Sequence, residues 1–144
     1  VRAPPPPPPL LGGRHAPLPV PGALPRAHKR GERGVGVSAA PNNVQNPSTP
    51  VGDASLLRMA NFYANVAQAG IGEFDACLDL VTKLPARLMN LRDYGIAPGN
   101  PADLIVLDTA SARGAIAELP DVLMGFKNGR QVFERQKAVL MRPG

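Results

Sequence analysis

Few side chains in this sequence can do covalent or metal chemistry. It contains two histidines, His15 and His28, and one cysteine, Cys77. A reactive cysteine needs a neighbouring base or cation that stabilises its thiolate, and neither histidine is near Cys77 in the sequence. Cys77 instead falls on the apolar face of a predicted helix, which is typical of a small core residue. The sequence therefore predicts no cysteine nucleophile and no disulfide within this chain.

A polar loop offers a second group of candidate residues. Gly34–Ala40 consists of small and β-branched residues and predicts a short buried strand, and residues 41–52, rich in asparagine and proline, predict a loop directly after it. In α/β barrels the catalytic residues lie at the carboxyl ends of the strands. Asn42 and Asn43 therefore lie at the position where catalytic residues are expected. The alternative is that both asparagines simply end the strand in an Asx turn.

Three helices are predicted after this loop. Apolar residues recur at three- and four-residue spacing over Asp53–Ala69, which predicts an amphipathic helix with Asp53 as its N-cap. Gly70 can close this helix in the left-handed conformation. Further helices are predicted over Glu73–Val81 and Lys83–Asn90.

The last part of the chain predicts strands. Asp103–Leu107 is a continuous apolar run and predicts a buried strand, and Ser111–Leu119 predicts a short helix. Val122–Lys127 and Arg130–Glu134 flank Asn128-Gly129, a pair that favours a type I′ hairpin turn because both residues tolerate positive φ. The order of elements predicts a mixed α/β piece rather than a complete architecture.

Residues 1–33 have a different composition from the remainder. They hold ten of the 18 prolines, six of them consecutive, which favours an extended, disordered arm that could bind SH3 or WW domains. Residues 1–35 carry a net charge of +5, whereas residues 36–144 hold ten basic and ten acidic residues. The high pI therefore belongs to the arm. The 4% aromatic content and the absence of tryptophan argue against a nucleic-acid stacking platform.

The sequence also gives an expectation for the cellular location of the protein. No apolar run approaches the length of a membrane-spanning helix, so no membrane partner is expected. No continuous apolar segment follows the first basic residue, which argues against a signal peptide. A cytoplasmic protein is the resulting expectation.

Three blocks of sequence resemble a known family. They are NNVQNPSTPVGD (residues 42–53), LVTKLPARLMNLRDYGIAPGNPADLIVLD (residues 80–108) and VLMGFKNGRQVF (residues 122–133). The region Ala27–Glu134 is similar to the last quarter of a metal-dependent amidohydrolase of the cytosine-deaminase kind. The implied fold class is α/β, a C-terminal fragment of a (β/α)8 TIM-type barrel with part of the flanking small β domain.

The resemblance implies a hydrolase that acts on non-peptide C–N bonds, deaminating cytosine or a related nitrogen heterocycle with one divalent metal, zinc or iron. Family ligands are an HxH pair, a later histidine and an aspartate after the eighth strand. Asn42 stands at that aspartate position, Asn43 at the next acidic position of cytosine deaminases, and Ser48 at an aromatic position that stacks on the pyrimidine. The sequence has no HxH, and His28 is expected on the surface of the helix before the eighth strand. This chain alone is therefore expected to bind no metal and to be inactive.

Three regions follow from these considerations. Residues 1–33 form the basic arm, residues 34–92 the last barrel strand and the helices after it, and residues 93–144 the strands and hairpin of the small β domain. The abrupt change of composition before Arg26 suggests a different reading frame or an error in the gene model there.

Unpaired strands predict exposed apolar faces and self-association. The alternative function is a non-catalytic interaction protein with a polyproline arm.

Overall fold

The computed structural model describes residues 25–41, 44–47 and 50–142. Helices dominate its first two thirds, and a small antiparallel sheet forms near the end. The elements within these ranges are α1 (Ala27–Glu32), α2 (Leu56–Val66), a 3₁₀ helix (Ile71–Glu73), α3 (Phe74–Asp79), α4 (Lys83–Leu88), β1 (Leu104–Leu107), α5 (Ala112–Ala117), β2 (Val122–Lys127) and β3 (Arg130–Glu134).

The predicted amphipathic helix is confirmed as α2, but its ends differ from the prediction. Ser55, not Asp53, is the N-cap, since its hydroxyl accepts a backbone N–H of the first turn at 3.2 Å. Gly70 does not close the helix, because its φ is −74°. Gln68 takes the left-handed conformation instead, with φ of 52°. The spacing of apolar residues thus located the helix. The end residues depend on hydrogen bonds, which this spacing does not predict.

The core lies between the helices. The predicted helices over 73–81 and 83–90 are confirmed in shorter form as α3 and α4, and Cys77 is fully buried and free, as expected. Small residues on α2 allow the other helices to approach closely. The buried side chains of this cluster are Ala60, Tyr63, Ala64, Ala67, Cys77, Leu80, Val81, Leu84 and Ile116.

The predicted strand at Gly34–Ala40 is absent. No described strand lies beside this segment. Its backbone bonds go to helical parts of the chain instead: the Val35 N–H donates to the Arg30 carbonyl in α1 at 3.1 Å, and the Ala39 N–H donates to the Leu80 carbonyl just after α3 at 2.9 Å. Val35 is 50% exposed. A strand needs a partner that accepts and donates its ladder hydrogen bonds, and a short apolar pattern does not supply one.

The arm predicted for residues 1–33 does not extend to residue 33, because Ala27–Glu32 forms α1. The resemblance had implied a helix here, and that expectation is confirmed. The helix lies close to α4, since a Cβ on Gly31 would come within 2.5 Å of Leu84 Cδ1. A larger residue at this position would require the Leu84 side chain to move. The remainder of the arm, residues 1–24, lies outside the described residues.

The three strands form an antiparallel sheet in the order β1-β2-β3. The hairpin has the predicted limits, and Asn128 and Gly129 have φ of 49° and 75°, as a type I′ turn requires. The strand predicted at Asp103–Leu107 is confirmed as β1, but the prediction that it is buried is wrong. Ile105 is 54% exposed and Val106 37%, so side chains on both faces of this edge strand remain accessible to solvent.

Helix α5 connects the sheet region with the core. Ser111 caps it by accepting the Gly114 N–H at 3.0 Å, which confirms the predicted helix at Ser111–Leu119. The Asn61 side-chain amide donates to the Ile116 carbonyl at 2.7 Å, which ties α5 to α2. None of the helices in the described ranges is long and apolar enough to cross a membrane.

Candidate functional site

A cavity of about 770 Å³ opens where Gly34–Ala40 ends, at the amino-terminal half of α2. This is the end of the segment at which the sequence placed chemistry. Three parts of the chain contribute to its wall: the end of that segment, the loop before α2, and α2 itself. The lining residues are Ala40, Pro41, Val44, Val51, Gly52, Asp53, Ala54, Ser55, Arg58, Met59 and Phe62.

The charged groups of this wall are paired with each other. Arg58 Nε lies 2.9 Å from Asp53 Oδ2, and Asp53 Oδ1 accepts the Ser55 N–H at 3.0 Å. The Ser55 hydrogen bond, followed by that from Arg58, lowers the pKa of Asp53 below its usual 3.8. Asp53 is therefore ionised near neutral pH and fully engaged, which makes it a poor proton acceptor. The remaining wall is apolar.

The two described parts of the loop before α2 contact each other. The Gln45 side-chain amide donates to the Gly52 carbonyl at 3.0 Å. Gly52 has φ of 116°, a conformation that favours glycine, and Val44 lies 3.5 Å from where a Cβ would stand on it. These contacts fold the loop back on itself, so that both of its ends reach the cavity.

The predicted site residues Asn42, Asn43 and Ser48 lie outside the described residues, so their assignments remain predictions. Their described neighbours are informative, because Pro41 and Val44 on either side of the asparagine pair both line the cavity. The stretch that holds the predicted site residues therefore borders this cavity at Pro41 and Val44.

A metal site does not arise from the described part of the chain. Residues 25–41, 44–47 and 50–142 bring no three His, Cys, Asp or Glu side chains together in a way that could hold a metal ion. Catalytic metal sites use about three protein ligands, so these residues do not fit the metal that the family resemblance implies.

His28 lies in the core, which corrects the expectation that it is a surface residue. It is 1% exposed, and its ring meets that of Tyr63 edge to face. His28 Nδ1 lies 2.7 Å from the Tyr63 hydroxyl, which also donates to the Pro25 carbonyl at 3.1 Å. His28 Nε2 has no hydrogen bond, and Glu73 Oε1 lies 3.6 Å away. The sequence feature that could have indicated burial of His28 is Tyr63. A tyrosine on the apolar face of a helix needs a buried polar partner for its hydroxyl.

Glu73 and Cys77 complete the surroundings of α1. Lys29 Nζ lies 2.8 Å from Glu73 Oε1, and the Gly70 N–H donates to Glu73 Oε2 at 3.0 Å. The Lys29 hydrogen bond, with that from Gly70, lowers the pKa of Glu73 to about 2. Burial raises the pKa of the Cys77 thiol to about 11. A thiol with a raised pKa is mostly protonated at neutral pH and is therefore a poor nucleophile, as the sequence predicted for Cys77.

Comparison with known proteins shows the family to which this chain belongs. Residues 41–133, more than half of the chain, match the model of the amidohydrolase family, and the chain belongs to that family. Enzymes of this family are generally metal-dependent. The matching region begins at the cavity and ends in the hairpin, so it includes both the loop and the sheet.

Solved structures place the chain more narrowly within that class. It is similar to 5-methylcytosine deaminase from Klebsiella pneumoniae liganded with 5-fluorocytosine, with a TM-score of 0.76 and 29% identity. The same enzyme liganded with phosphonocytosine gives 0.74 and 28%. N-isopropylammelide isopropylaminohydrolase from Burkholderia multivorans, at 0.69 and 24%, shares the fold. No curated protein sequence matches significantly.

These alignments cover 83% of this chain but only 30% of each of the three structures. The predicted resemblance to a portion of a cytosine-deaminase-like amidohydrolase is thereby confirmed. The mixed helical and strand structure is compatible with such a portion.

Proposed function

We propose that this chain is the C-terminal portion of a metal-dependent hydrolase that acts on non-peptide C–N bonds, and that the chain alone is not catalytic. One observation carries the proposal: 83% of the chain superposes on 5-methylcytosine deaminase with a TM-score of 0.76. The proposed reaction is deamination of cytosine or a related nitrogen heterocycle. The zinc or iron ion would be held by parts of the parent protein that this chain does not contain.

In this proposal the described residues form one wall of the substrate site. The wall at Val44, Met59 and Phe62 is apolar, and Arg58, the cation among the described lining residues, is paired with Asp53. A neutral heterocycle needs no counter-ion and gains from contact with an apolar wall. Asn42 and Asn43 would supply neutral amide groups to the same site. Because amides are weaker proton acceptors than carboxylates, the proton-transferring groups must come from elsewhere in the parent.

The first test is at the gene. Sequencing the genomic locus and its transcript upstream of the Arg26 codon, with translation in all three frames, should reveal an HxH pair, a later histidine and a glutamate in one continuous frame. Finding none of these would contradict the proposal. Detection of peptides from residues 1–25 in native cells by mass spectrometry would show that the arm is genuine.

The second test is biochemical. The parent protein and this chain are expressed separately, supplied with zinc or iron, and assayed for bound metal and for ammonia release from cytosine and 5-methylcytosine. We expect metal and activity in the parent only. Phe62→Ala in the parent should lower kcat/KM, whereas Leu91→Ala, at a similarly exposed residue outside the cavity, should not. A parent that binds metal but releases no ammonia from either substrate would reject the proposed chemistry.

The second candidate function is a non-catalytic interaction protein with a polyproline arm. It is favoured for the chain as written, because the described residues contain no metal-binding cluster. Its test is binding of the full chain to SH3 and WW domains, compared with a variant in which Pro4–Pro9 are replaced by alanine. Loss of binding in the variant supports this function, and equal binding by both proteins rejects it.

A further inference from the structure

The described part of the chain begins beside the cavity. The carbonyl of Pro25, its first residue, accepts a hydrogen bond from the Tyr63 hydroxyl at 3.1 Å. Met59 and Phe62 both line the cavity, and they lie one helical turn before Tyr63 and directly next to it on α2. One turn of an α-helix rises only about 5.4 Å. The sequence that precedes Pro25 therefore starts close to the cavity wall.

The cavity wall has apolar surface that the described residues leave uncovered. Phe62 is 58% exposed and Val51 is 72% exposed. The two charged lining residues, Asp53 and Arg58, are paired with each other at 2.9 Å. The wall therefore has no unpaired charge that would attract an ion, and it gains free energy when an uncharged, apolar group covers it.

The sequence directly before Pro25 has the matching properties. Residues 16–24, APLPVPGAL, contain no charged side chain and no side chain that forms hydrogen bonds. Leu18, Val20 and Leu24 supply bulky apolar groups. The prolines among them fix φ, which reduces the conformational entropy lost on docking. Proline-rich segments are commonly recognised by apolar grooves that contain an exposed aromatic ring, such as that of Phe62.

We propose that residues 16–24 fold back over the cavity and cover the wall at Val51, Met59 and Phe62. The contact is non-covalent and forms within one chain. It closes the cavity to other ligands in the chain as written. The inference does not depend on the proposed function, because it uses only the surface of the cavity and the sequence next to it.

The length of the segment suits this contact. Seven peptide steps separate Leu18 from Pro25 and can span about 24 Å, which is several helical turns. The cavity volume of about 770 Å³ lies within the range of pockets that enclose most of a drug-sized ligand. A segment joined to the wall by so short a connection has an effective concentration on the order of millimolar. The chain's own segment is therefore favoured over that of a second copy.

Thiol labelling of the full chain tests the proposal. Val51→Cys places a reporter in the cavity wall, and Leu91→Cys places one at an exposed position outside the cavity. Each is labelled with N-ethylmaleimide, an uncharged reagent, at several protein concentrations. The chain without an added cysteine gives the background from Cys77, which is buried. With the native arm, we expect labelling at position 51 to be at least ten times slower than at position 91 at every concentration.

Two arm variants identify what covers the reporter. Leu18→Gln with Val20→Gln and Leu24→Gln makes residues 16–24 polar without changing their length or charge. Leu10→Gln with Leu11→Gln is the matched change outside this segment. We expect the triple variant to speed labelling at position 51 at least tenfold and to leave position 91 unchanged. The double variant should change neither rate.

The other results would overturn the proposal. Equal rates at positions 51 and 91 with the native arm would mean that the wall is open. Slow labelling that the triple variant does not relieve, or that both arm variants relieve, would mean that the cover is not residues 16–24. Slow labelling that disappears on dilution would identify a second copy as the occupant. The comparison with the native arm involves no change in the arm, so it decides the question even where an arm variant does not fold.

Discussion

At the scale of single residues, Tyr63 is a buried side chain that joins two elements of the core. Its hydroxyl lies 2.7 Å from His28 Nδ1 and donates to the Pro25 carbonyl at 3.1 Å, so one oxygen connects α2 to two points around α1. Burial raises the pKa of Tyr63 above its usual 10, and the hydroxyl keeps its proton at all ordinary pH values. It can therefore donate continuously.

Tyr63→Phe should lower the free energy of unfolding by about 1–3 kcal/mol, because it leaves the buried His28 ring without its partner. Urea unfolding followed by circular dichroism measures the change. Tyr94→Phe is the matched control, since Tyr94 is 44% exposed and outside the core. Equal stability of the Tyr63 variant and the native chain would mean that the hydroxyl contact contributes nothing.

At the scale of elements, the sequence predicted the helices and turns that depend on residues close together in the chain. The helical periodicity located α2, and Asn128-Gly129 located the hairpin, since both depend on residues close in sequence. The strand at Gly34–Ala40 and the burial of β1 were wrong, because both require neighbours that a local pattern cannot specify. The sequence predicted a loop over residues 41–52, but not the pairing of Asp53 with Arg58, which depends on how the chain enters α2.

The hairpin turn should be sensitive to a single methyl group. Gly129→Ala is expected to destabilise the chain by about 1 kcal/mol, because φ of 75° is unfavourable for alanine. Thermal unfolding gives the comparison. Gly72→Ala is the control, since Gly72 has open space around it and no positive φ. Similar losses in both variants would point to a general effect of replacing glycine rather than to the turn.

The attachment of α1 through Glu73 should depend on pH. The folded-state pKa of about 2 lies below the usual 4.5, so the ionised carboxylate stabilises the fold above pH 4.5. This stability is lost as pH falls from about 4.5 towards 2. Glu73→Gln should therefore flatten the pH dependence of unfolding in that window, whereas Glu32→Gln, at an exposed position on α1, should leave it steep. An unchanged slope in the Glu73 variant would contradict this assignment.

At the scale of the whole molecule, the chain has more apolar surface than its own core can cover. Phe62 is 58% exposed beside the cavity, Ile96 is 95% exposed, and Val132 and Phe133 are 61% and 45% exposed on β3. Alignments that cover only 30% of each neighbouring structure are consistent with surfaces that a longer protein would bury. The division into regions 34–92 and 93–144 remains a prediction, although α5 in the second region contacts α2 in the first.

Self-association is the expected result when the chain is isolated, because exposed apolar patches lose water on contact. Sedimentation equilibrium over a range of concentrations should show an apparent mass that rises above 15.1 kDa. Phe62→Asp should weaken the association, whereas Lys83→Asp, on an exposed polar position, should affect it less. A mass that stays at the monomer value throughout would reject the expectation.

The segment of residues 91–99 has a practical consequence. Every position in it is exposed, and it lies between α4 and β1, away from the buried cluster and from the residues that line the cavity. Such a loop tolerates added sequence, because its two ends are held by the elements on either side. An epitope tag or a fluorescent reporter could therefore be inserted near Gly95. The labelled chain would keep the residues that line its cavity.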